Sequence, residues 1–281
     1  MKGINHLVLA GHDLDALGAT WAALGFTLTP QAQHPFGTGN RVIQLHGGYL
    51  ELLAVTRPAE VVEHQPGIFS FPAFNRDYLA RHEGFSMLVL DTADAAADIE
   101  AWRAAGLETY APFDFSRMAK LPTGEELRVG FSLAFVTSPA APWLGHFACQ
   151  HLAPAYFEQP QYLRHANTAK RIADVWISGD GALDLAGHLA IVIGTAGVAE
   201  EAGRIVFRTP RGAVVLATPV IFEQNFGMAP PHVQDGPHLA GLTIACESLA
   251  PFAGMGLERV GDRLVLPPQK AFGTAVGFVE A

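Results

Sequence analysis

The residue least at home in its surroundings is Glu51. It stands in the apolar run Tyr49-Leu50-Glu51-Leu52-Leu53-Ala54-Val55, and a carboxylate there is costly unless it is paired, hydrogen-bonded or bound to a metal. Either it lies on a solvated strand face or it faces a site. His6 is the candidate partner. It is the third residue of the strand-like stretch Ile4 to Ala10, as Glu51 is the third of its own. If the two strands curl around one cavity, an imidazole and a carboxylate converge inside it. Histidine, carboxylate and water together suit a divalent Zn, Fe, Mn or Ni ion, with positions left open for substrate.

Other residues carry weaker signals. The loop His34 to Arg41 (HPFGTGNR) combines glycine flexibility with His34, Thr38, Asn40 and Arg41. It reads either as a lip that touches substrate through His34 and Asn40, or as an ordinary turn in which Asn40 bonds its own backbone. Arg117, before a Pro122-Thr123-Gly124 turn, offers a guanidinium that forks onto a carboxylate or phosphate. His12 reads as part of a strand–helix loop. Cys149 lies in an apolar strand with no base assigned to it, which points to packing and not to a nucleophile. There is no Gly-rich phosphate loop, GxSxG elbow or HExxH.

The elements that must position these residues repeat. Ile4 to Ala10 reads as a strand and Asp13 as the cap of a helix with Leu14, Leu17, Trp21 and Leu24 at helical spacing. Gly25 ends that helix, and Phe26 to Thr29 reads as a short strand. Arg41 to His46 and Tyr49 to Val55 form a hairpin about Gly47-Gly48. After a connection from Arg57 to Glu83 the pattern returns: a strand at Phe85 to Leu90, a helix capped by Thr92 or Asp94 that runs through Ala105, then strands at Leu107 to Tyr110, Leu127 to Val136 and Phe147 to Leu152. In Leu127 to Val136, Leu127, Val129, Phe131, Leu133 and Phe135 share one face. A third copy has a strand at Ile172 to Ile177, helical character from Asp184 to Ile193, and strands at Arg204 to Phe207 and Ala213 to Ala217. A shorter fourth runs from Leu239 to Val279, with strands at Leu239 to Ala245, Leu257 to Val260, Arg263 to Leu266 and Thr274 to Val279 and a brief helix near Ser248 to Ala253. Such a period marks duplicated supersecondary units. The segment Ala153 to Lys170 is the expected boundary between two parts, 1–155 and 170–281.

Composition bounds the function. The chain has 281 residues and a formal net charge of −9, which argues against nucleic acid or an anionic membrane as partner. No apolar run reaches the roughly 18 residues of a membrane span. The opening MKGINHLVLAGHD reads as a first strand, not a signal peptide. Two cysteines form no disulfide framework, and a reducing cytoplasm is the default location.

Four βαβββ units, with His on the first strand and Glu on the last strand of a unit, resemble the vicinal oxygen chelate superfamily, and within it the glyoxalase-like branch. The carrying segments are NHLVLAGHDLDAL, HPFGTGNRVI, GYLELLAV and FACQHLAP. The resemblance implies an α+β fold in which βαβββ modules pair into two curved mixed β-sheets, as in glyoxalase, bleomycin resistance and dihydroxybiphenyl dioxygenase proteins. It also implies a divalent metal on a concave face, bound by residues of the first and last strands of both units. On that basis a third ligand comes from the second unit, and His151 is the choice beside His6 and Glu51. Gln150 aligns slightly better with Glu51 and is the substrate-side alternative, since strand alternation lets only one of the two face inward. Met87 aligns with His6 and is a poor ligand for a hard ion. Asp174 aligns with His6 and Val215 with Glu51, which leaves no second metal site in the C-terminal part. The expected function is a metal-dependent lyase, isomerase or dioxygenase acting on a small oxygenated metabolite, with His6 and Glu51 catalytic. The alternative is a binding protein of the antibiotic-sequestering type that uses the same cleft. Paired modules of this kind often form homodimers.

Overall fold

A computed structural model describes the chain apart from residues 121–123, 125, 155–157 and 202, and apart from the side chains of 119, 120 and 127. The expected Pro122-Thr123-Gly124 turn and the facing of Leu127 therefore fall outside the described residues, as does part of the expected boundary segment.

The repeat is present as strand topology. Unit 1 comprises β1 (Ile4–Ala10), α1 (Leu14–Ala23), β2 (Ala32–Gln33), β3 (Thr38–Leu45) and β4 (Gly48–Val55). A helix, α2 (Phe71–Leu79), leads to unit 2: β5 (Gly84–Asp91), α3 (Ala95–Ala104), β6 (Glu108–Thr109), β7 (Phe113–Lys120), β8 (Glu126–Thr137) and β9 (Gly145–His151). β6 and β7 both pair with β8 and run along it as one interrupted strand. Unit 3 is β10 (Ala169–Ser178), α4 (Ala186–Ile193), β11 (Val198–Glu201), β12 (Arg204–Arg208) and β13 (Ala213–Ala217). A further helix, α5 (Pro219–Phe226), precedes unit 4, which holds β14 (His238–Cys246), β15 (Glu258–Val260), β16 (Arg263–Leu266) and β17 (Ala275–Glu280).

Units 1 and 2 join where β1 runs antiparallel to β5, with β4 parallel to β1 and β9 parallel to β5. Units 3 and 4 repeat the arrangement with β10 against β14, β13 beside β10 and β17 beside β14. Two mixed sheets result. Among the described residues, one backbone pairing, Leu239 with Phe85, links them.

Strand alternation sorts each sheet's residues to two faces. Leu7, Leu9, Leu50, Leu52, Leu88 and Leu90 join Trp21, Ile99 and Trp102 of the helices and Ile172, Ile177, Leu242 and Ile244 of the other sheet in one continuous core. The opposite face of the first sheet carries Val8, Leu53, Met87, Val89, Phe131, Phe135 and Phe147, covered by Phe71 and Phe74 of α2. Both faces of β1 and β4 are thus buried, so Glu51 reads as an isolated charge among leucines although its neighbours face the other way.

Local signals act as expected at the helix ends. The Asp13 carboxylate accepts from the backbone N–H groups of Asp15 and Ala16. Asp94, not Thr92, caps α3 by accepting from Ala97 N. Gly25 turns the chain after α1 at φ 88°, where a side chain would be strained. Phe26 to Thr29, however, is not a strand. The N–H of Thr27 donates to His165 Nδ1 at 3.0 Å and its hydroxyl to the Arg164 carbonyl at 2.6 Å, so the segment between the two sheets takes the bonds a ladder would need. α2, α5 and β7 were not expected. Their aromatic residues cover concave faces, a role that leaves no clean period in the sequence.

Candidate active site

β1 and β4 are neighbouring parallel strands, with His6 opposite Tyr49 and Val8 opposite Glu51. His6 and Glu51 therefore sit two residues apart on one face. His6 Nε2 lies 3.7 Å from Glu51 Oε2, and both side chains are buried. The Tyr49 ring stacks on His6 with centroids 4.2 Å apart. His6 Nδ1 lies 2.7 Å from Asn5 Oδ1. An amide oxygen only accepts, so Nδ1 carries the proton and the Nε2 lone pair is turned toward Glu51.

His34, in the loop between β2 and β3, and Asn40, on β3 opposite Leu53, join them, both buried. Asn40 Nδ2 donates to Glu51 Oε1 at 2.6 Å and lies 3.3 Å from His34 Nε2. His34 Nδ1 meets Thr38 Oγ1 at 2.8 Å. Asn40 fixes the Glu51 carboxylate through its amide hydrogen bond and is not the residue of an ordinary Asx turn. Arg117 on β7 lines the same hollow.

The hollow measures about 490 Å³, its open mouth included. Its walls are aromatic: Phe36, Phe71, Phe115, Phe131 and Phe147. Phe115 stacks on Phe131 at 5.0 Å, and Phe36 meets Phe115 at 5.2 Å and Phe71 at 5.7 Å. Of these only Phe131 and its strand face were legible beforehand.

Burial sets the charges. It pushes the Glu51 carboxyl up from 4.5 to about 7, against the opposing pull of the Asn40 hydrogen bond and the Arg117 charge. Burial, helped by the Arg117 charge, lowers His34 to about 3. His6 falls well below 6.5 through burial first and then through His151 and His34. The hollow thus holds imidazoles kept neutral by burial, a carboxyl raised toward neutral pH and a guanidinium. That balance favours an anionic group on a ligand.

Two expected residues stand elsewhere. Gln150 is on the opposite face of β9, where its amide donates to the Ala93 carbonyl at 2.7 Å and accepts from Ala95 N at 3.2 Å, bracing the start of α3. It does not line the hollow. His151 shares the face of Phe147 and Cys149 but lies past the rim. Its Nε2 is 3.4 Å from Asn5 Oδ1, the oxygen that orients His6. His151 is not gathered with His6 and Glu51 within 4.8 Å, so the arrangement makes it a support for Asn5 and not a third ligand. Cys149 lines the hollow with its thiol pushed up by burial, which suits packing.

The donor atoms fit a divalent ion held by two protein ligands. His6 Nε2 and Glu51 Oε2 face each other with a fixed tautomer, a disposition that a cation satisfies, as does the proton that the raised Glu51 carboxyl retains. Unit 2 adds no hard ligand. Where β1 sets Val8 opposite Glu51, β5 sets Val89 opposite Phe147, so Phe147, not Gln150, is the counterpart of Glu51. Met87, the counterpart of His6, is packed beside the Asn75 amide at 3.9 Å.

The corresponding face of the second sheet is packed among the described residues. β10 sets Trp176 opposite Val215, which makes Asp174 and Val215 the counterparts of His6 and Glu51, as the sequence alignment has it. The space is filled by Trp176, Val215 and the stacked Phe222 and Phe226 of α5. Asp174 accepts from Trp176 Nε1 at 2.5 Å and faces Arg263 at 3.7 Å.

No curated protein matches the sequence. Among solved structures, a hypothetical protein from Staphylococcus aureus aligns over 100% of both chains at 12% identity with a TM-score of 0.71. A variant of 4-hydroxymandelate synthase from Streptomyces coelicolor aligns over 98% of this chain and 91% of its own, at 12% identity and a TM-score of 0.54. A xylose isomerase-like TIM barrel/4-hydroxyphenylpyruvate dioxygenase fusion protein aligns over 95% of this chain and 40% of its own, at 14% identity and a TM-score of 0.54. At these identities the likeness is one of fold. The model of the glyoxalase-like domain matches residues 4–193, which span both units of the first sheet, the segment between the sheets and the start of unit 3. The chain belongs to the glyoxalase-like domain family and, with it, to the vicinal oxygen chelate superfamily.

Proposed function

We propose that the chain is a metal-dependent enzyme acting on a small oxygenated metabolite that carries an anionic oxygen and an apolar body. The observation that supports this is the facing of His6 Nε2 and Glu51 Oε2 at 3.7 Å in a buried hollow that also holds Arg117. A Zn, Fe, Mn or Ni ion bound by His6 and Glu51 would supply Lewis-acid polarisation of adjacent substrate oxygens. The chain's own residues do the rest. Arg117 pairs with a carboxylate or an enolate-type oxygen. Asn40 pins Glu51 Oε1, and the other oxygen, Oε2, faces His6 Nε2. The phenylalanine walls exclude water and so strengthen each of these contacts. Glu51 is the group placed to take a proton from a carbon next to such an oxygen. The test is metal analysis of the purified protein together with His6→Ala and Glu51→Ala. Loss of one metal equivalent in both variants relative to the wild type is the expected result; equal content in all three removes the reading.

A second reading is a small-molecule binding protein without catalysis. Phe147 and Met87 at the two ligand positions of unit 2 favour it. A thermal-shift series with added metal and EDTA separates the two. Stabilisation by metal that is lost with chelator and reduced in His6→Ala supports the enzyme.

A further inference from the structure

A separate cluster of metal-binding side chains lies at the seam between the sheets. His82 stands between α2 and β5, and His232 and Asp235 stand in the loop that leads to β14. β5 and β14 are the strands whose backbone pairing, Phe85 with Leu239, joins the two sheets. The ligand-type atoms of His82, His232 and Asp235 all lie within 4.8 Å of one another. We propose that these three residues form a second divalent-metal site, of the His-His-carboxylate type suited to zinc, that clasps the two sheets together.

The hydrogen bonds around the cluster point the same way. His82 Nδ1 lies 3.1 Å from the Glu83 carbonyl. A carbonyl only accepts, so Nδ1 carries the proton and Nε2 presents a lone pair. That lone pair lies 3.4 Å from Asp235 Oδ2. Two acceptors face each other, and a cation between them relieves the conflict. The other carboxylate oxygen, Oδ1, is held by Arg81 at 2.6 Å, which orients the carboxylate as outer-shell partners orient metal ligands. His232 lies parallel to His82 with centroids 3.9 Å apart. The turn that carries His232 and Asp235 is closed by Asp235 N donating to the His232 carbonyl at 2.9 Å, which sets the two side chains on one side of the loop. His232 is exposed and its two neighbours half-buried, so an ion can enter and water can complete a tetrahedral shell.

The experiment is isothermal titration of Zn²⁺ into the full chain, stripped beforehand with EDTA, for wild type, His82→Ala, His232→Ala and Asp235→Asn, with His6→Ala and Glu51→Gln as controls. Melting curves with and without Zn²⁺ are recorded for each. A zinc equivalent that survives in both controls, and whose affinity falls ~100-fold or more in each seam variant, is expected; removal of an orienting partner alone costs 10–100-fold. Zinc should also raise the melting temperature of Glu51→Gln, and should not raise that of the Glu51→Gln, His82→Ala double variant. His232 is exposed, so its replacement tests the site even where the other variants fold poorly. Zinc binding unchanged in His232→Ala, binding lost only in the hollow's controls, or no binding at all would overturn the proposal.

Discussion

Replacing Glu51 by glutamine in the metal-free protein should stabilise it, and by an amount that depends on pH. The carboxyl rises from 4.5 to about 7 on folding, mainly through burial. Between those values the folded chain holds a proton that the unfolded chain has released. Wild-type stability therefore falls as pH rises through that window, and the full deficit is present above about 7. The gap corresponds to ~3 kcal/mol, at 1.36 kcal/mol for each tenfold change in proton affinity. The glutamine side chain would keep an oxygen for the Asn40 amide and would shed the ionisation. The assay is urea denaturation of wild type and Glu51→Gln in EDTA at pH 4.5 and pH 8. At pH 4.5 the two proteins should unfold together. At pH 8 the variant should be more stable by up to ~3 kcal/mol, a midpoint shift on the order of 1 M or more. His6 and His34, held neutral by burial, lower stability as pH falls below 6.5, but they do so in both proteins and drop out of the comparison. A difference that is the same at both pH values would refute the assignment of Glu51 as a carboxyl held at the cost of its own desolvation. So would a variant less stable than wild type at pH 8.

Three further outcomes follow from the same geometry. Arg117→Ala should weaken binding of a small carboxylate probe such as oxalate at least tenfold, measured by titration calorimetry, because no other cationic side chain among the described residues lines the hollow. Phe226→Ala should cost ~3–5 kcal/mol in chemical denaturation, since the ring is fully buried in the filled second sheet, while leaving ligand binding in the first sheet unchanged. Asp13→Ala should cost ~1 kcal/mol by removing the side-chain cap that serves two N–H groups at the start of α1.

The two sheets show how one repeat can keep or lose a site. Units 1 and 2 close their concave face with α2, whose Phe71 forms one wall and leaves the hollow open. Units 3 and 4 close theirs with α5, whose Phe222 and Phe226 pack into the floor against Trp176. The exchange of His6 for Asp174 and of Glu51 for Val215 accompanies that filling. Asp174 then needs Trp176 and Arg263 as partners, because a carboxylate left alone in such a floor would be costly.

Read by itself, the sequence determined the units, their order and the pair His6–Glu51. Strand periodicity, the Asp13 and Asp94 caps and the glycines after α1 and α3 are local signals that act within a few residues. Repetition of those signals named the family. The tertiary structure alone decided which side of β9 faces the hollow, and so sent Gln150 to the helix side and His151 to the rim. It also decided that Phe36, Phe71 and Phe115 build the walls and that α5 plugs the second sheet. Those outcomes depend on strand register and on contacts between residues far apart in the chain. A shift of one residue in pairing turns every side chain to the opposite face, and no local pattern records which pairing is made.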